Sequence, residues 1–520
     1  MTYVLGINSS HDGSIALFKE QHLLGTFTKE RLTRIKKHTN GNYKDLIDKL
    51  LNKFNLSIDD IDYICYNDHY LDTDAYLDLL PYSNIYGKLK PHTSYVETVT
   101  SYNLNKTKVY AINHHLGHCS YSFYTSNFEK SICISLDGSP NEYCYIALGN
   151  DKKIKKYEYP VINSSILYDW FTYYIIGNPL YKSGTVMGLS AYGNVIDNDY
   201  KKYSGTNFES YWKELSKKEP ILQKTPKNEV TETDKDMSAT LQYIFENQII
   251  DYLNNLPNDL LVEYDYNLCL SGGSFLNCNL NSKIKKYTKF KNIHIAPACS
   301  DDGLSVGYAL YFIHNILGKT RKFYTDKELM YSGLDYNVPN VGIKLDLEFV
   351  VNEICKGKII ALYQGRSEFG PRALGNRSIL ADPRSNTIKD YINSTIKNRE
   401  WFRPFGATVL EEEAEYWFDI DSTSPFMLYT VGVKDPKLVP AISHKDLTCR
   451  IQTLNRSTNP LFYDIIKLFK TKTGVPMLLN TSFNGPNEPI VETPDDALNF
   501  FNRSKIDILI LENRMIVKNV

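Results

Sequence analysis

Four clusters of polar residues have types and spacings that could do chemistry. The first is Asn113-His114-His115-Leu116-Gly117-His118. His114 and His118 stand four residues apart, so on a helix they share one face and could hold one metal ion. The bland alternative is a pair of polar helix histidines with ordinary partners. A third ligand would come from elsewhere, preferably a carboxylate at a strand-to-helix corner. Pro297-Ala298-Cys299-Ser300-Asp301-Asp302-Gly303 offers Asp301 and Asp302, directly before an apolar stretch.

The second cluster is rich in glycine. Leu270-Ser271-Gly272-Gly273-Ser274-Phe275-Leu276-Asn277 follows an apolar run and opens a helix-like one. Glycines there let the backbone approach a phosphate or an adenosine, and a helix N-terminus favours anions. They also suit a plain turn. Residues 182–193 form a second such stretch, with Gly184, Gly188 and Gly193. Neither is a Walker A loop. Leu136-Asp137-Gly138 closes another apolar run, where a carboxylate can hold Mg²⁺ or a substrate hydroxyl, or cap a turn.

The third cluster is the densest. Residues 364–384 carry Arg366, Arg372, Arg377 and Arg384 interleaved with Gly and Pro, and Lys397, Arg399 and Arg403 follow. From 356 to 410 there are ten Lys/Arg against four Asp/Glu, whereas Glu411–Asp421 holds six acids and no base. A solvated face would mix the signs; segregated positive charge fits a phosphate-rich ligand. Aromatic neighbours would also suit single-stranded nucleic acid, but the Gly and Pro interruptions favour a tight polyphosphate pocket over a long groove. The fourth cluster, Leu479-Asn480-Thr481-Ser482-Phe483-Asn484, places amides and hydroxyls at the end of an apolar run, to orient a ligand or satisfy a turn.

These clusters need elements to position them. Apolar runs at Tyr3–Ile7, Ile132–Leu136, Leu268–Leu270, Ile359–Tyr363, Met477–Leu479 and Ile506–Leu511 predict strands. Periodic stretches at Tyr43–Phe54, Ser238–Leu253, Ser305–Leu317 and Ala497–Phe501 predict helices, so the fold class is α/β. Gly6–Gly13 followed by Ser14–Lys19 predicts a strand, a tight turn able to meet a phosphate, and a second strand. Residues 195–237 are polar and predict a surface insertion. Lys319–Asn340 predicts a boundary between units at 1–335 and 341–520. No internal repeat is visible in the sequence.

At 520 residues the chain is long enough for more than one core. A balance of 59 Lys+Arg against 60 Asp+Glu excludes a nucleic-acid binder acting through overall charge, though not a local basic patch. The 13% aromatic content excludes wholesale disorder. Nine scattered cysteines without a CxxC argue against a disulfide framework and for a reducing compartment. Met1–Ser10 has no cationic start and apolar core, and no run reaches membrane-spanning length. A cytoplasmic protein that spans no membrane is expected.

Assembled, these motifs resemble the O-carbamoyltransferase family of nodulation and antibiotic biosynthesis (the NodU/CmcH/TobZ type). The resemblance runs through most of the chain. It rests first on EFGPRALGNRSILADPR at Glu368–Arg384, then on IKNREWFRPF at Ile396–Phe405 and LLNTSFN at Leu478–Asn484. NHHLGH, PACSDDG, VMGLSAYG and SGGSFLN agree in the first half. Two departures stand out: Leu447 where the family usually has glycine, and Gly184-Thr185-Val186-Met187-Gly188 in place of GKVMG.

The resemblance implies a Kae1-like N-terminal domain with an actin/Hsp70-type ATPase core, followed by a YrdC-like α/β domain. It implies that carbamoyl phosphate and ATP yield carbamoyl-adenylate, whose carbamoyl group passes to an acceptor hydroxyl. Metal ligands would be His114, His118 and Asp301, holding Fe²⁺ or another divalent ion, with Mg²⁺ accompanying ATP. Arg372, Lys397, Arg403, Arg450 and Ser482 would bind carbamoyl phosphate and the adenylate, with Arg372 and Lys397 also catalytic. Asp137, Gly138, Gly188, Gly272, Gly273 and Asn277 are expected at ATP, and His11 and Asp12 are candidates for the base at the acceptor. The acceptor could be a small molecule, a sugar, or a nucleotide or DNA base such as 5-hydroxymethylcytosine; a homodimer is compatible with this reading. The alternatives are a threonylcarbamoyl-type tRNA-modification factor and an ATP-dependent binding module.

Overall fold

The computed structural model describes residues 1–38, 43–67, 99–104, 107–138, 144–151, 153–203 and 229–518. The expected α/β class is what is observed. Three sheets organise the chain, and the first two follow one plan.

In the first sheet the order is β3 (His22–Thr28), β2 (Ser14–Lys19), β1 (Tyr3–Asn8), β4 (Tyr63–Asn67), β6 (Thr107–Ile112) and β5 (Val99–Leu104). β1, β2 and β3 form an antiparallel meander, while β4 and β6 continue parallel to β1. The second sheet runs β11 (Asn292–Ile295), β10 (Asn267–Ser271), β7 (Lys130–Leu136), β8 (Cys144–Asn150) and β9 (Lys153–Lys156). Again β7, β8 and β9 form a meander, with β10 and β11 parallel to β7. The fold therefore contains an internal repeat that the sequence hides. Strand pairing depends on apolar pattern and register, and many different residues meet that demand.

Helices His114–Thr125 and Leu304–Tyr311 are buried along their length between these sheets. They meet at Gly117 and Gly307: a Cβ on Gly307 would lie 2.1 Å from the Gly117 carbonyl oxygen, and one on Gly117 2.4 Å from Tyr308. Gly6 of β1 admits the second helix in the same way, 1.8 Å from Ser305 O. This close packing fixes where His114, His118 and Asp301 stand.

The third sheet has nine strands in the order β12 (Ile343–Lys344), β20 (Arg514–Val517), β19 (Ile508–Leu511), β13 (Ile360–Tyr363), β14 (Arg377–Ala381), β18 (Met477–Ser482), β15 (Gly406–Leu410), β17 (Thr448–Leu454) and β16 (Tyr429–Gly432). Its own apolar core runs from Val350 to Met515. Pro460–Thr473 is a helix packed on this core, capped by Asn459 at one end and by Gly474 in the left-handed region at the other.

All seven predicted strands and all four predicted helices exist, most with shifted ends. One expectation needs correction. Most of the surface insertion expected at 195–237 lies outside the described residues, but 232–237 begin the helix Glu232–Asn254, whose start is set by a Thr231–Asp234 capping box. The stretch Lys319–Asn340, expected as the boundary between units, is partly structured. It holds a short helix, Asp326–Met330, and Ser332 O accepts a hydrogen bond from Thr26 N at the edge of the first sheet.

Candidate active site

The ends of β1, β7 and β10 and the starts of the two central helices converge on one point, the position where open α/β sheets bind ligands. His114 and His118 lie one helical turn apart and are buried, with ring centroids separated by 4.8 Å. Asp137 directly follows β7, and its Oδ2 is 3.3 Å from His114 Nε2 and 3.0 Å from His118 Nε2. Asp301 Oδ1 lies 3.4 Å from His118 Nε2 and 3.7 Å from His114 Nε2. Of the two acids that the sequence offers, Asp301 is the one beside the two histidines. Asp302 turns into a buried position where Oδ1 has no hydrogen-bond partner, and burial with nearby Asp12 pushes its pKa well above the usual range.

His114, His118, Asp137 and Asp301 each bring one ligand atom within 4.8 Å of the others. The surroundings fit a cation. Ser271 Oγ donates to Cys299 O, so it must accept from His118 Nδ1–H at 3.1 Å, which aims Nε2 at the two carboxylates. Asp301 Oδ1 is buried and accepts no hydrogen bond of good geometry. Two imidazoles and two carboxylates suit a first-row divalent ion, whose charge would offset the acids. Asp137 thus stands with the two histidines and Asp301, a placement beyond the nucleotide contact expected for it.

His11 and Asp12 sit at the mouth of this group. His11 Nδ1 is 3.1 Å from Asp12 Oδ2, its Nε2 is 3.5 Å from Asp301 Oδ2, and Lys37 Nζ is 3.4 Å from Asp12. Burial alone would lower the His11 pKa, but Asp301 and Asp12 raise it to about 9.

The glycines have local accounts. Gly272 has φ +103°, and a Cβ there would lie 2.2 Å from Leu136 O. A Cβ on Gly273 would lie 3.3 Å from Asp137 Oδ1. Gly138 N donates to its neighbour's Oδ1 at 2.7 Å. Asn277 caps the helix Cys278–Tyr287 and exchanges hydrogen bonds with Gln242 at 3.0 Å. None of these contacts calls for a nucleotide, although the glycines do bring backbone close to Asp137.

A second centre lies on the third sheet. Lys397 is buried, and its Nζ donates to Asn484 Oδ1 at 2.7 Å and to Ser482 Oγ at 3.2 Å. Burial, then the charges of Arg399, Lys36 and Arg403, hold its pKa well below the usual lysine value. Burial with Arg403 and Arg450 does the same to Arg399, and burial with Arg450 to Arg372. Nε of both Arg372 and Arg450 is buried without a hydrogen-bond partner among the described residues. Crowded, under-partnered cations are costly unless an anion joins them. Leu447, the departure noted three residues before Arg450, adopts φ +61°, the left-handed conformation that explains why glycine is usual there.

The sequence profile for the Carbamoyltransferase N-terminus matches residues 3–310, and that for the Carbamoyltransferase C-terminus matches residues 351–518. The chain belongs to the carbamoyltransferase family. It is 32% identical to nodulation protein NolNO of Sinorhizobium fredii, over 98% of this chain and 79% of that protein. It is 26% identical to nodulation protein U of Azorhizobium caulinodans over 92% of each. It is 30% identical to the 3'-hydroxymethylcephem-O-carbamoyltransferase of Streptomyces clavuligerus over 47% of each. Among solved structures, T.kodakarensis HypF covers 61% of this chain and 48% of its own at 10% identity and a TM-score of 0.36, a distant likeness.

In this carbamoyltransferase the two centres are joined across the junction of the sheets. Arg403 donates to Thr185 Oγ1 at 2.6 Å, Lys182 pairs with Glu400 at 2.7 Å, and Arg372 donates to Leu276 O at 3.1 Å. A Cβ on Gly188 would lie 3.2 Å from Pro404 Cδ, so this glycine lets the helix Pro179–Leu189 approach the basic loop. Arg399 and Asn484, which join this cluster, stood inside the quoted motifs but were not assigned to the site from the sequence. No described helix is long and apolar enough to cross a membrane.

Proposed function

We propose that this protein is an ATP-dependent O-carbamoyltransferase working through carbamoyl-adenylate, with a Kae1-like first part and a YrdC-like second part. The observation that carries the reading is the concentration of Arg372, Lys397, Arg399, Arg403 and Arg450 in one half-buried cluster, with Arg372 and Arg403 bonded to Leu276 and Thr185 of the first half. In this pocket water cleaves carbamoyl phosphate to carbamate and phosphate. A carbamate oxygen then attacks the α-phosphorus of ATP, and pyrophosphate leaves. Arg403, Arg450 and Lys397 bind the phosphate oxygens and offset the charge that grows on them, while Ser482 and Asn484 hold the Lys397 ammonium in place.

The acceptor oxygen then attacks the carbamoyl carbon and AMP leaves. His114, His118, Asp137 and Asp301 would hold a divalent ion, Fe²⁺ in the reading favoured by the resemblance. When bound, that ion supplies Lewis acidity toward the carbamoyl group or its phosphate. His11, oriented by Asp12, is placed to take the acceptor proton. Against the effect of burial, Asp301 and Asp12 raise its pKa to about 9 and keep it protonated at neutral pH; a cation sharing Asp301 would weaken that pull. The acceptor is a hydroxylated small molecule, sugar or hydroxymethylated base.

The test is to supply ATP and carbamoyl phosphate and to follow AMP and pyrophosphate, while screening hydroxylated acceptors by mass spectrometry for a carbamoyl addition. Formation of both products only when carbamoyl phosphate is present supports the reading. Turnover with bicarbonate and threonine in its place would contradict it.

A further inference from the structure

The turn that follows β1 grips the Asp301 carboxylate. Asn8 closes the strand and Ser10 stands in the turn, and both side chains are buried. Asn8 Nδ2 donates to Asp301 O at 2.7 Å and to Ser10 Oγ at 2.8 Å, with Asp12 O at 3.3 Å, while Asn8 Oδ1 accepts from Ser10 N at 3.2 Å. Carbonyls only accept and an amide N–H only donates, so these partners fix which way the Asn8 amide faces. They fix the Ser10 hydroxyl as well. Its oxygen accepts from Asn8, and its one proton goes to Asp301 Oδ2 at 2.6 Å. An O–H···O⁻ bond of that length is charge-assisted and strong.

A carboxylate with both oxygens open can hold an ion through one or through both. At Asp301 that choice is removed. Oδ2 is taken by Ser10, with His11 Nε2 a further 3.5 Å neighbour. Oδ1 is left 3.4 and 3.7 Å from the two imidazole nitrogens, buried and without a hydrogen-bond partner among the described residues. Asp137 repeats the pattern from the other sheet. Gly138 N occupies its Oδ1 at 2.7 Å, and Oδ2 is left 3.3 and 3.0 Å from His114 and His118. Two acids from different sheets each have one oxygen tied by the chain and the other turned to the same point.

We propose that Ser10, held by Asn8, is a positioning residue of the metal group. Ser10 and Gly138 N make Asp301 and Asp137 each give the ion a single oxygen. With the two imidazole nitrogens this makes four protein atoms, so an ion of octahedral preference keeps positions for substrate oxygens. Asn8 and Ser10 touch neither ion nor substrate; they act through Asp301. The inference rests on the metal reading of the His/Asp group given above.

The test uses the full-length protein stripped of metal, with Co²⁺ as the probe. Affinity is read by calorimetry, and ligation by the visible absorption of Co²⁺, whose bands weaken as its coordination number rises. Ser10→Ala removes the donor to Oδ2 and little volume. It is expected to weaken Co²⁺ binding about 10- to 100-fold, the range for losing a group that orients a metal ligand. The visible bands should shift and weaken, because Asp301 can then turn both oxygens to the ion. His118→Ala, the control, should abolish the bands.

If Ser10→Ala binds Co²⁺ with unchanged affinity and unchanged bands while His118→Ala does not bind, the proposal is overturned and the metal reading stands. If neither substitution matters, the metal reading fails and takes the proposal with it. Weaker binding with unchanged bands would mean that Ser10 acts through the stability of the turn and not through Asp301, which also overturns the proposal.

Discussion

Arg31 and Glu492, 461 residues apart in sequence, meet at 3.3 Å with side chains only 4% and 1% exposed. Glu492 also accepts from Tyr336 at 3.1 Å and Ser367 at 2.9 Å, so its carboxylate is fully served only while the first and third sheets are docked. Removing one partner leaves a buried charge unpaired. Arg31→Met or Glu492→Gln should each cost about 3 to 5 kcal/mol of stability. Measured by denaturant unfolding, the double substitution should cost clearly less than the sum of the two.

The His/Asp group makes a prediction about metal content. Asp137→Ala and His118→Ala should each reduce bound divalent metal about 100-fold or more, since losing a ligand costs at least what loss of its supporting shell costs. Asp302→Asn should leave the metal content near that of the unaltered protein, because its carboxyl turns away from the two imidazoles. Elemental analysis of the purified variants checks both. Stripping the metal with a chelator should stop transfer to acceptor, and returning a divalent ion should restore it.

Two histidines far from the basic pocket set a pH dependence. Burial lowers His314 to about 4 and His294 to about 3, with Arg321 acting in the same direction on each. His314 Nδ1 donates to Lys319 O at 3.1 Å, and its Nε2 is buried without a partner. Between pH 6.5 and those values the folded protein binds fewer protons than the unfolded chain. The stability they contribute is therefore full above pH 6.5 and lost as the pH falls. His314→Gln should flatten the decline between pH 6.5 and 4.5 by on the order of 1 to 2 kcal/mol in denaturant titrations.

The clusters that carry chemistry were legible because their spacing matches one element. His114 and His118 share a helix face, and Lys397 through Arg403 share one loop. Convergence between elements was harder. Nothing about Leu136-Asp137-Gly138 says that its carboxylate meets two imidazoles from a helix 19 to 23 residues away, because the packing of that helix along β7 creates the approach. Asn277 illustrates an ambiguity within one element. A polar residue after a glycine turn suits both a ligand and a helix cap, and local hydrogen bonding favours the cap. The duplicated sheets were invisible for a third reason: their likeness lies in strand order and not in residue identity.

The central claim is that the basic pocket activates the carbamoyl group and the His/Asp group transfers it. Pyrophosphate release from ATP and carbamoyl phosphate, measured without acceptor in Arg403→Gln and Asp301→Asn, separates these roles. The account predicts that Arg403→Gln lowers this release about 100-fold or more, as expected when a charge stabilising the transition state is removed, while Asp301→Asn keeps it and fails only to carbamoylate an acceptor. Release that survives Arg403→Gln, or that is lost with Asp301→Asn while the protein stays folded, would contradict it.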